Sequence, residues 1–509
     1  MKQQIQILIY RMNFLRKPGF ILLATILLFQ IAGGCAVGPN FVKPEAPDVG
    51  GYTAKPLPSS TASTNVPGGK AQVFAKGADI PGEWWTLFHS KGLNALIEQS
   101  LKANPDIKAA QAALKVAREN ALAQRGAFFP SVTASFDGTQ ARTPAVLAPV
   151  PASNALYYNL YTPQVAVSYV PDVFGLNRRT VESLDAQTEA QRFQLAATYI
   201  TLSSNVAAAA IQEAALRGQI NATHQLIDIN KKMLDVLRQQ LTAGYASRLD
   251  VAAEESQLAQ VIATLPPLVK QLAQQRDLLA ALSGGFAANG PAETFALSSM
   301  ELPGTLPVSL PSKLVEQRPD VRQAEANMHS ASAQIGVAVA NRLPNFALTA
   351  NAGSNALTIG KIFTPGTGFW TVGETVAQPI FQGGTLLHRE RAARAAYTQA
   401  QEQYKSTVLT AFQNVSDSLV ALEQDANALK AASDSERASK VTLDLISKQL
   451  KAGYANYLAL LNAEQSYQQA LINLVQAQAN RYSDTAALFQ ALGGGWWNKP
   501  ETTAVGNQN

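Results

Sequence analysis

Only one cysteine, Cys35, occurs in the 509 residues, so no internal disulfide can form. The four histidines, His89, His224, His329 and His388, are scattered without metal-ligand spacing, and Cys35 is accounted for by the leader rather than by nucleophilic chemistry. Gly360-Lys361 imitates a phosphate loop, but Asn355 stands where a glycine is required and Ile362 where a hydroxyl is required. These gaps exclude an enzyme, a metal centre and a non-covalent cofactor as sequence-based readings. Charge is also sparse, at 15% of residues, and the net balance of +5 comes largely from the first residues. Without Lys2, Arg11, Arg16 and Lys17, the 41 basic residues fall to 37 against 36 acidic ones. That balance leaves no basis for phosphate-driven nucleic-acid binding. The apolar run from Gly19 to Ile31 is too short for a comfortable membrane span; with its basic flank and the small residues Ala32-Gly33-Gly34 it reads as a signal peptide, residues 1–34.

Proline and glycine are missing where they would interrupt helices. No proline lies between Pro171 and Pro266, and between Gly175 and Gly244 the single glycine is Gly218. An unbroken helix over about 172–242 would be roughly 100 Å long. A second run, Thr385 to Ala452, has neither residue and predicts a second long helix over about 384–452. Each ends in the same turn, Leu241-Thr-Ala-Gly244-Tyr245-Ala-Ser-Arg248-Leu249 and Leu450-Lys-Ala-Gly453-Tyr454-Ala-Asn-Tyr457-Leu458. Gly244 and Gly453 stand where a helix ends on a left-handed residue.

The repetition extends further. Asn104-Pro105-Asp106 matches Arg318-Pro319-Asp320, Pro130 matches Pro344, and Pro171 matches Pro379, at offsets of 208 to 214. Two tandem repeats follow, residues 84–285 and 311–495, joined by a linker over 286–310 and followed by a tail, 496–509. Residues 35–83 are rich in Pro, Gly, Ser and Thr, and Pro44, Pro47, Pro56, Pro58 and Pro67 predict an extended arm without regular structure. Trp84, Trp85 and Phe88 then read as packing anchors for a short amphipathic helix.

Within each repeat a helix gives way to alternation. Val132, Ala134 and Phe136 fall on one face and Thr133, Ser135 and Asp137 on the other; Phe346, Leu348 and Ala350 alternate likewise with Ala347, Thr349 and Asn351. Strands are expected at about 131–142, 160–170, 345–353 and 369–377, with one apolar and one polar face, as where lipid meets one side and water the other. Glu374 shares a face with Trp370, Val372 and Val376. Either that residue lies beyond the hydrocarbon or the register is shifted by one. The connections from Thr143 to Tyr158 and from Ser354 to Gly368 read as exposed loops. Pro266-Pro267 is expected to break or kink the first returning helix.

Four strands cannot hide their edges in a bilayer, so the sheet must close through other subunits. Two chains would give eight strands, whose interior side chains largely fill; three give twelve and a water-filled lumen. A homotrimer is the smallest closed assembly with a pore. The fold class is thus mainly α with a transmembrane β-barrel, its two repeats each running helix, β-hairpin, long helix, returning helix.

The chain resembles the outer-membrane factor family, the TolC and OprM type, most closely its lipidated, NodT-like branch. The residues that carry the resemblance are Gly34-Cys35-Ala-Val-Gly-Pro39-Asn-Phe-Val-Lys-Pro44, Trp84-Trp85-Thr-Leu-Phe88, Gln317-Arg318-Pro319-Asp320-Val-Arg322-Gln-Ala-Glu325, Pro379-Ile-Phe381-Gln-Gly383-Gly384 and Ala491-Leu-Gly-Gly-Gly495-Trp496. It implies a trimeric twelve-strand barrel in the outer membrane of a Gram-negative bacterium, continued by an α-helical periplasmic tunnel. The implied function is the exit duct of a tripartite efflux system, passing small molecules such as drugs from a proton-driven inner-membrane transporter and a periplasmic adaptor. Arrangement of the leader resembles a bacterial lipoprotein signal, in which Cys35 becomes the acylated first residue, so a covalent lipid is the one attached group expected. Some family members carry acidic residues at the second turn, where this chain has Ala455 and Asn456.

The candidate site residues are Cys35 for lipidation and, at the far turns, Gly244, Tyr245, Arg248, Gly453 and Tyr454, which would lock neighbouring hairpins or meet the adaptor; plain packing of the turns is the competing reading. Alternatives to the efflux duct are a protein-secretion duct and a lipid-tethered periplasmic coiled-coil scaffold.

Overall fold

The computed structural model describes residues 36–142 and 157–498. The signal peptide, Cys35, residues 143–156 of the first loop and residues 499–509 of the tail lie outside the described residues. In chain order the elements are β1 (Val73–Lys76), α1 (Lys91–Ala103), α2 (Pro105–Arg125), β2 (Ser131–Arg142), β3 (Tyr157–Tyr169), α3 (Leu176–Thr242), α4 (Arg248–Leu282), β4 (Thr305–Val308), α5 (Pro311–Gln317), α6 (Pro319–Ala340), β5 (Asn345–Ser354), β6 (Gly368–Ala377), α7 (Thr385–Lys451) and α8 (Tyr457–Ala491). Both α3 and α7 have 67 residues, and both α4 and α8 have 35. Equal lengths at equivalent places make the duplication structural as well as sequential. No helix among the described residues is long and apolar enough to cross a membrane.

Local chemistry sets the helix ends. The Asp172 carboxylate accepts from the backbone N–H groups of Asn177 and Arg178, both at 2.9 Å, and Gly175 has φ +80°. The first long helix therefore starts at Leu176 rather than near 172. Ahead of α2, the Asn104 side chain accepts from Asp106 N–H at 2.8 Å while Pro105 takes the first helical position. The expected break is absent: α4 runs as one helix through Pro266 and Pro267. The prolines free the carbonyls of Ile262 and Ala263, and both residues are exposed, which leaves the freed groups open to solvent rather than in a core.

The chain divides into two compact units. The first comprises residues up to Lys43, Lys115–Glu189 and Glu325–Gln403. Its sheet has the order β2-β3-β5-β6, with every neighbouring pair antiparallel. Cross-strand partners share a face, so the register can be read straight across. Val132 pairs with Val167, Val167 with Ala350, and Ala350 with Val372; the adjoining row is Thr133, Ala166, Asn351, Thr371. The apolar face is thus continuous over four strands. Glu374 does lie on it, opposite Leu348 and beside the row of Tyr169, three residues from the end of β6 at Ala377. The register is not shifted; the carboxylate sits near the end of the strand, where charge costs little in a barrel.

The second unit comprises Pro44–Leu114, Ala190–Ala324 and Tyr404–Asn509. Here two expectations change. The arm and the linker each contain a strand, β1 and β4, and these pair in parallel from Val73↔Thr305 to Lys76↔Val308. Pro44, Pro47, Pro56, Pro58 and Pro67 all precede Val73, and Pro307 sits in a strand of a two-stranded sheet, where a missing N–H is tolerated. The core gathers Trp84, Phe88, Leu93, Tyr482 and Phe489, with Trp84 stacked on Phe489 at 5.4 Å. The start of the tail is also packed: Trp496 Nε1 donates to the Gln317 carbonyl at 2.7 Å, and Asn498 donates to Asp79 at 2.9 Å.

Ala350 lies midway along β5 in the all-apolar row, whereas an arginine at Leu348 would gain Glu374 as a partner. Ala350→Arg should therefore cost about 2 to 4 kcal/mol per chain in a bilayer, and Asn351→Arg, on the opposite face, far less. Urea titration of the protein refolded into lipid vesicles measures both; equal losses would show that the faces are misassigned.

Candidate functional site

Each long helix ends in the same hydrogen-bonded turn. Tyr245 N–H reaches back to the Gln240 carbonyl at 2.8 Å and Gly244 N–H to that of Leu241 at 3.1 Å. In the second copy Tyr454 bonds to Gln449 at 2.8 Å and Gly453 to Leu450 at 3.1 Å. This is the Schellman pattern, which requires a left-handed residue, and Gly244 and Gly453 supply it at φ +80° and +78°. A Cβ at either would meet nothing within 4 Å, so the glycines are demanded by backbone conformation alone.

The returning helices start on matched caps. Ser247 and Asp250 form a reciprocal capping box at the head of α4, and the Asn456 side chain accepts from Ala459 N–H at 2.9 Å at the head of α8. Asn456 is thus the cap of the second returning helix. Tyr245 and Tyr454 are 86% and 87% exposed, so within one protomer neither packs the turn. Arg248 is exposed at the first position of α4, while its counterpart Tyr457 is buried.

Behind the turns a core from all four helices joins the two hairpins: Leu237 of α3, Val261 of α4, Leu443 and Leu450 of α7, and Leu460 and Tyr467 of α8. Into this core the chain places two carboxylates that the sequence reading missed. Glu254 is 0% exposed and Glu464 2% exposed. Tyr457 Oη donates to Glu254 Oε2 at 2.8 Å. The other Glu254 oxygen and both Glu464 oxygens have no hydrogen-bond partner. Burial, and then the neighbouring Glu254 charge, push Glu464 up to about 8. Burial also raises Glu254, against a lowering contribution from the Tyr457 hydroxyl. Asp250, on α4, adds a third negative charge facing Tyr457. The signal was present in the sequence: Glu464 lies four residues after Leu460 and three before Tyr467, squarely on the apolar stripe of α8. Glu254 occupies the same kind of place before Leu258 and Val261. Two buried like charges without a cation cannot both ionise, so the helix packing depends on a bound proton.

Cys35, the remaining candidate, lies outside the described residues. Among the described residues no three His, Cys, Asp or Glu side chains are grouped as metal ligands.

Comparison with known proteins joins the sheet and the turns to one family. A model of the family described as outer membrane efflux protein matches residues 96–285 and 310–494. The toluene efflux pump outer membrane protein TtgC of Pseudomonas putida is 29% identical over 497 residues, covering 96% of this chain and 97% of its own. Among solved structures, the outer-membrane channel OprN is similar with a TM-score of 0.80 at 26% identity, covering 91% of this chain and 100% of its own. The open state of the Neisseria gonorrhoeae MtrE outer membrane channel has a TM-score of 0.77 at 26% identity, covering 91% and 99%.

A buried acid whose pKa is raised favours the packed state fully below its unfolded pKa of about 4.3, and that advantage is lost as pH rises to the folded value. Stability should therefore fall between pH 5 and pH 8 by up to about 1.4 kcal/mol per unit from Glu464. Glu464→Gln should flatten that slope and raise stability at pH 8. Thermal melts of the detergent-solubilised protein at both pH values check it; parallel slopes for variant and parent would contradict the assignment.

Proposed function

Since the chain belongs to the outer membrane efflux protein family, and is an outer-membrane efflux channel rather than an enzyme, we propose that three copies assemble into the exit duct of a tripartite pump. The observation that carries this reading is the four-stranded sheet: one continuous apolar face, one polar face, and outer edges of β2 and β6 that no other described strand covers. Three copies bring twelve strands, enough to enclose water, and joining β6 of one protomer to β2 of the next removes every edge. In this reading the polar row of Thr133, Asn351 and Thr371 lines the lumen.

The partners are a periplasmic adaptor, which would meet the turns carrying Tyr245, Arg248 and Tyr454, and a proton-driven inner-membrane transporter that supplies cargo. Acylation of Cys35 adds a second membrane attachment. The cargo class is small molecules, toluene being the substrate for which the TtgC relative is named. A duct for secreted proteins is the weaker reading because that relative is an efflux component. A periplasmic scaffold leaves the apolar sheet face without a purpose.

The turns are the place to test conduction. Gly453→Val strains the left-handed turn without a clash, and Arg248→Glu reverses the exposed charge at the other hairpin. Each should lower drug export in cells or raise ion leak through purified protein in a planar bilayer, with trimer level unchanged. Parental values of both export and conductance in both variants would show that the turns neither gate nor dock.

A further inference from the structure

The first described residues occupy a cleft built for them. Arg179 is 4% exposed, and its guanidinium is spent almost wholly on the chain's own residues 36–40. Nε donates to the Val37 carbonyl at 3.0 Å, and Nη2 to Asn40 Oδ1 at 2.8 Å, with longer reaches of 3.4 and 3.3 Å to the carbonyls of Ala36 and Gly38. Nη1 donates to Glu182 at 2.7 Å. The second Glu182 oxygen lies 3.0 Å from His329 Nε2, and the His329 ring is stacked on Phe41 at 4.4 Å. Val37 N–H completes the grip by donating to the Phe174 carbonyl at 3.1 Å.

Three glycines make the fit close. A Cβ on Gly38, which has φ +93°, would lie 2.4 Å from Gly336 Cα; one on Gly175 would lie 2.6 Å from Ala36 Cα; one on Gly336 would lie 2.8 Å from the Val37 carbonyl. All these residues belong to the first unit. The cleft adjoins the end of the sheet where β3 finishes and β5 begins, for the Phe174 ring contacts Phe346 at 6.4 Å. If the segment left, the guanidinium, which cannot lose its proton, would give up every one of these bonds except that to Glu182.

We propose that this cleft is a receptor for residues 36–41 and that Arg179 is the positioning residue that holds the lipid-bearing terminus against the end of the barrel sheet. Cys35 directly precedes Ala36 in the sequence, so seating Ala36 at the Tyr169–Glu374 end of the strands fixes the point from which an acylated terminus would depart. The segment that follows the anchor is then held to the first unit rather than left as a loose tether. The proposal rests on Cys35 being acylated.

The test uses the full chain. Because Cys35 is the single native cysteine and acylation consumes its thiol, Val42→Cys at an exposed position takes a nitroxide label selectively. The label should be immobilised in the parent. It should become faster by on the order of tenfold in Arg179→Ala and in Gly38→Ala, which alters only the occupant and leaves the helices intact. Arg179→Lys, with one donor group in place of a fork, should fall between. Palmitate incorporation should be equal in all. An unchanged spectrum in both Arg179→Ala and Gly38→Ala would overturn the receptor. Absence of palmitate from the parent would overturn the acylation reading and the lipid positioning; Cys35→Ser in the same background then leaves residue 42 as the single labelled thiol, and its spectrum still reports whether the segment is seated.

Discussion

A backbone N–H or C=O left unpaired in hydrocarbon costs several kcal/mol, and that constraint governs this chain. In the order β2-β3-β5-β6 the two inner strands are paired on both sides, and the two outer strands each offer an open edge. No further strand of the described residues is available to close it; β1 and β4 pair with each other in the second unit. Closure must come from other copies. The duplication therefore has a physical purpose: each copy supplies one hairpin, and the antiparallel pairing of β3 with β5 fuses the two hairpins into a single sheet.

Much of this was legible in the sequence because it rests on local rules. Absence of proline and glycine marked both 67-residue helices to within a few residues, since those two residues are the ones a helix interior rejects most strongly. Alternation of Val132, Ala134 and Phe136 against Thr133, Ser135 and Asp137 marked the faces, because side chains on a strand have a period of two. What was illegible depends on partners distant in the chain. Pairing of β1 with β4 joins residues more than two hundred positions apart, and neither segment carries a strong strand pattern of its own. Continuity of α4 through Pro266 and Pro267 depends on which carbonyls face water, which periodicity alone does not reveal. The late start of α3 depends on one carboxylate, Asp172, folding forward onto two N–H groups.

The buried charged groups fall into two kinds. Arg179 is paired with carbonyls and Glu182, so it fixes a segment in place. Glu464 and one oxygen of Glu254 are unpaired, so they make the packing of α4 against α8 conditional on protonation. The repeated turn pointed to Tyr245 and Tyr454, which lie just beyond its glycines, and nothing in that motif pointed to these carboxylates. Burial of an acid on an apolar stripe is the stronger perturbation, and it sits where the two hairpins of a protomer are joined.

The central claim is that closure by three copies creates the pore. Native mass spectrometry of the detergent-solubilised protein, on the same preparation that conducts ions in a planar bilayer, tests it most directly. The account predicts a species of three chains as the conducting form. A conducting species of one or two chains would contradict it, because four or eight strands cannot enclose a water-filled lumen.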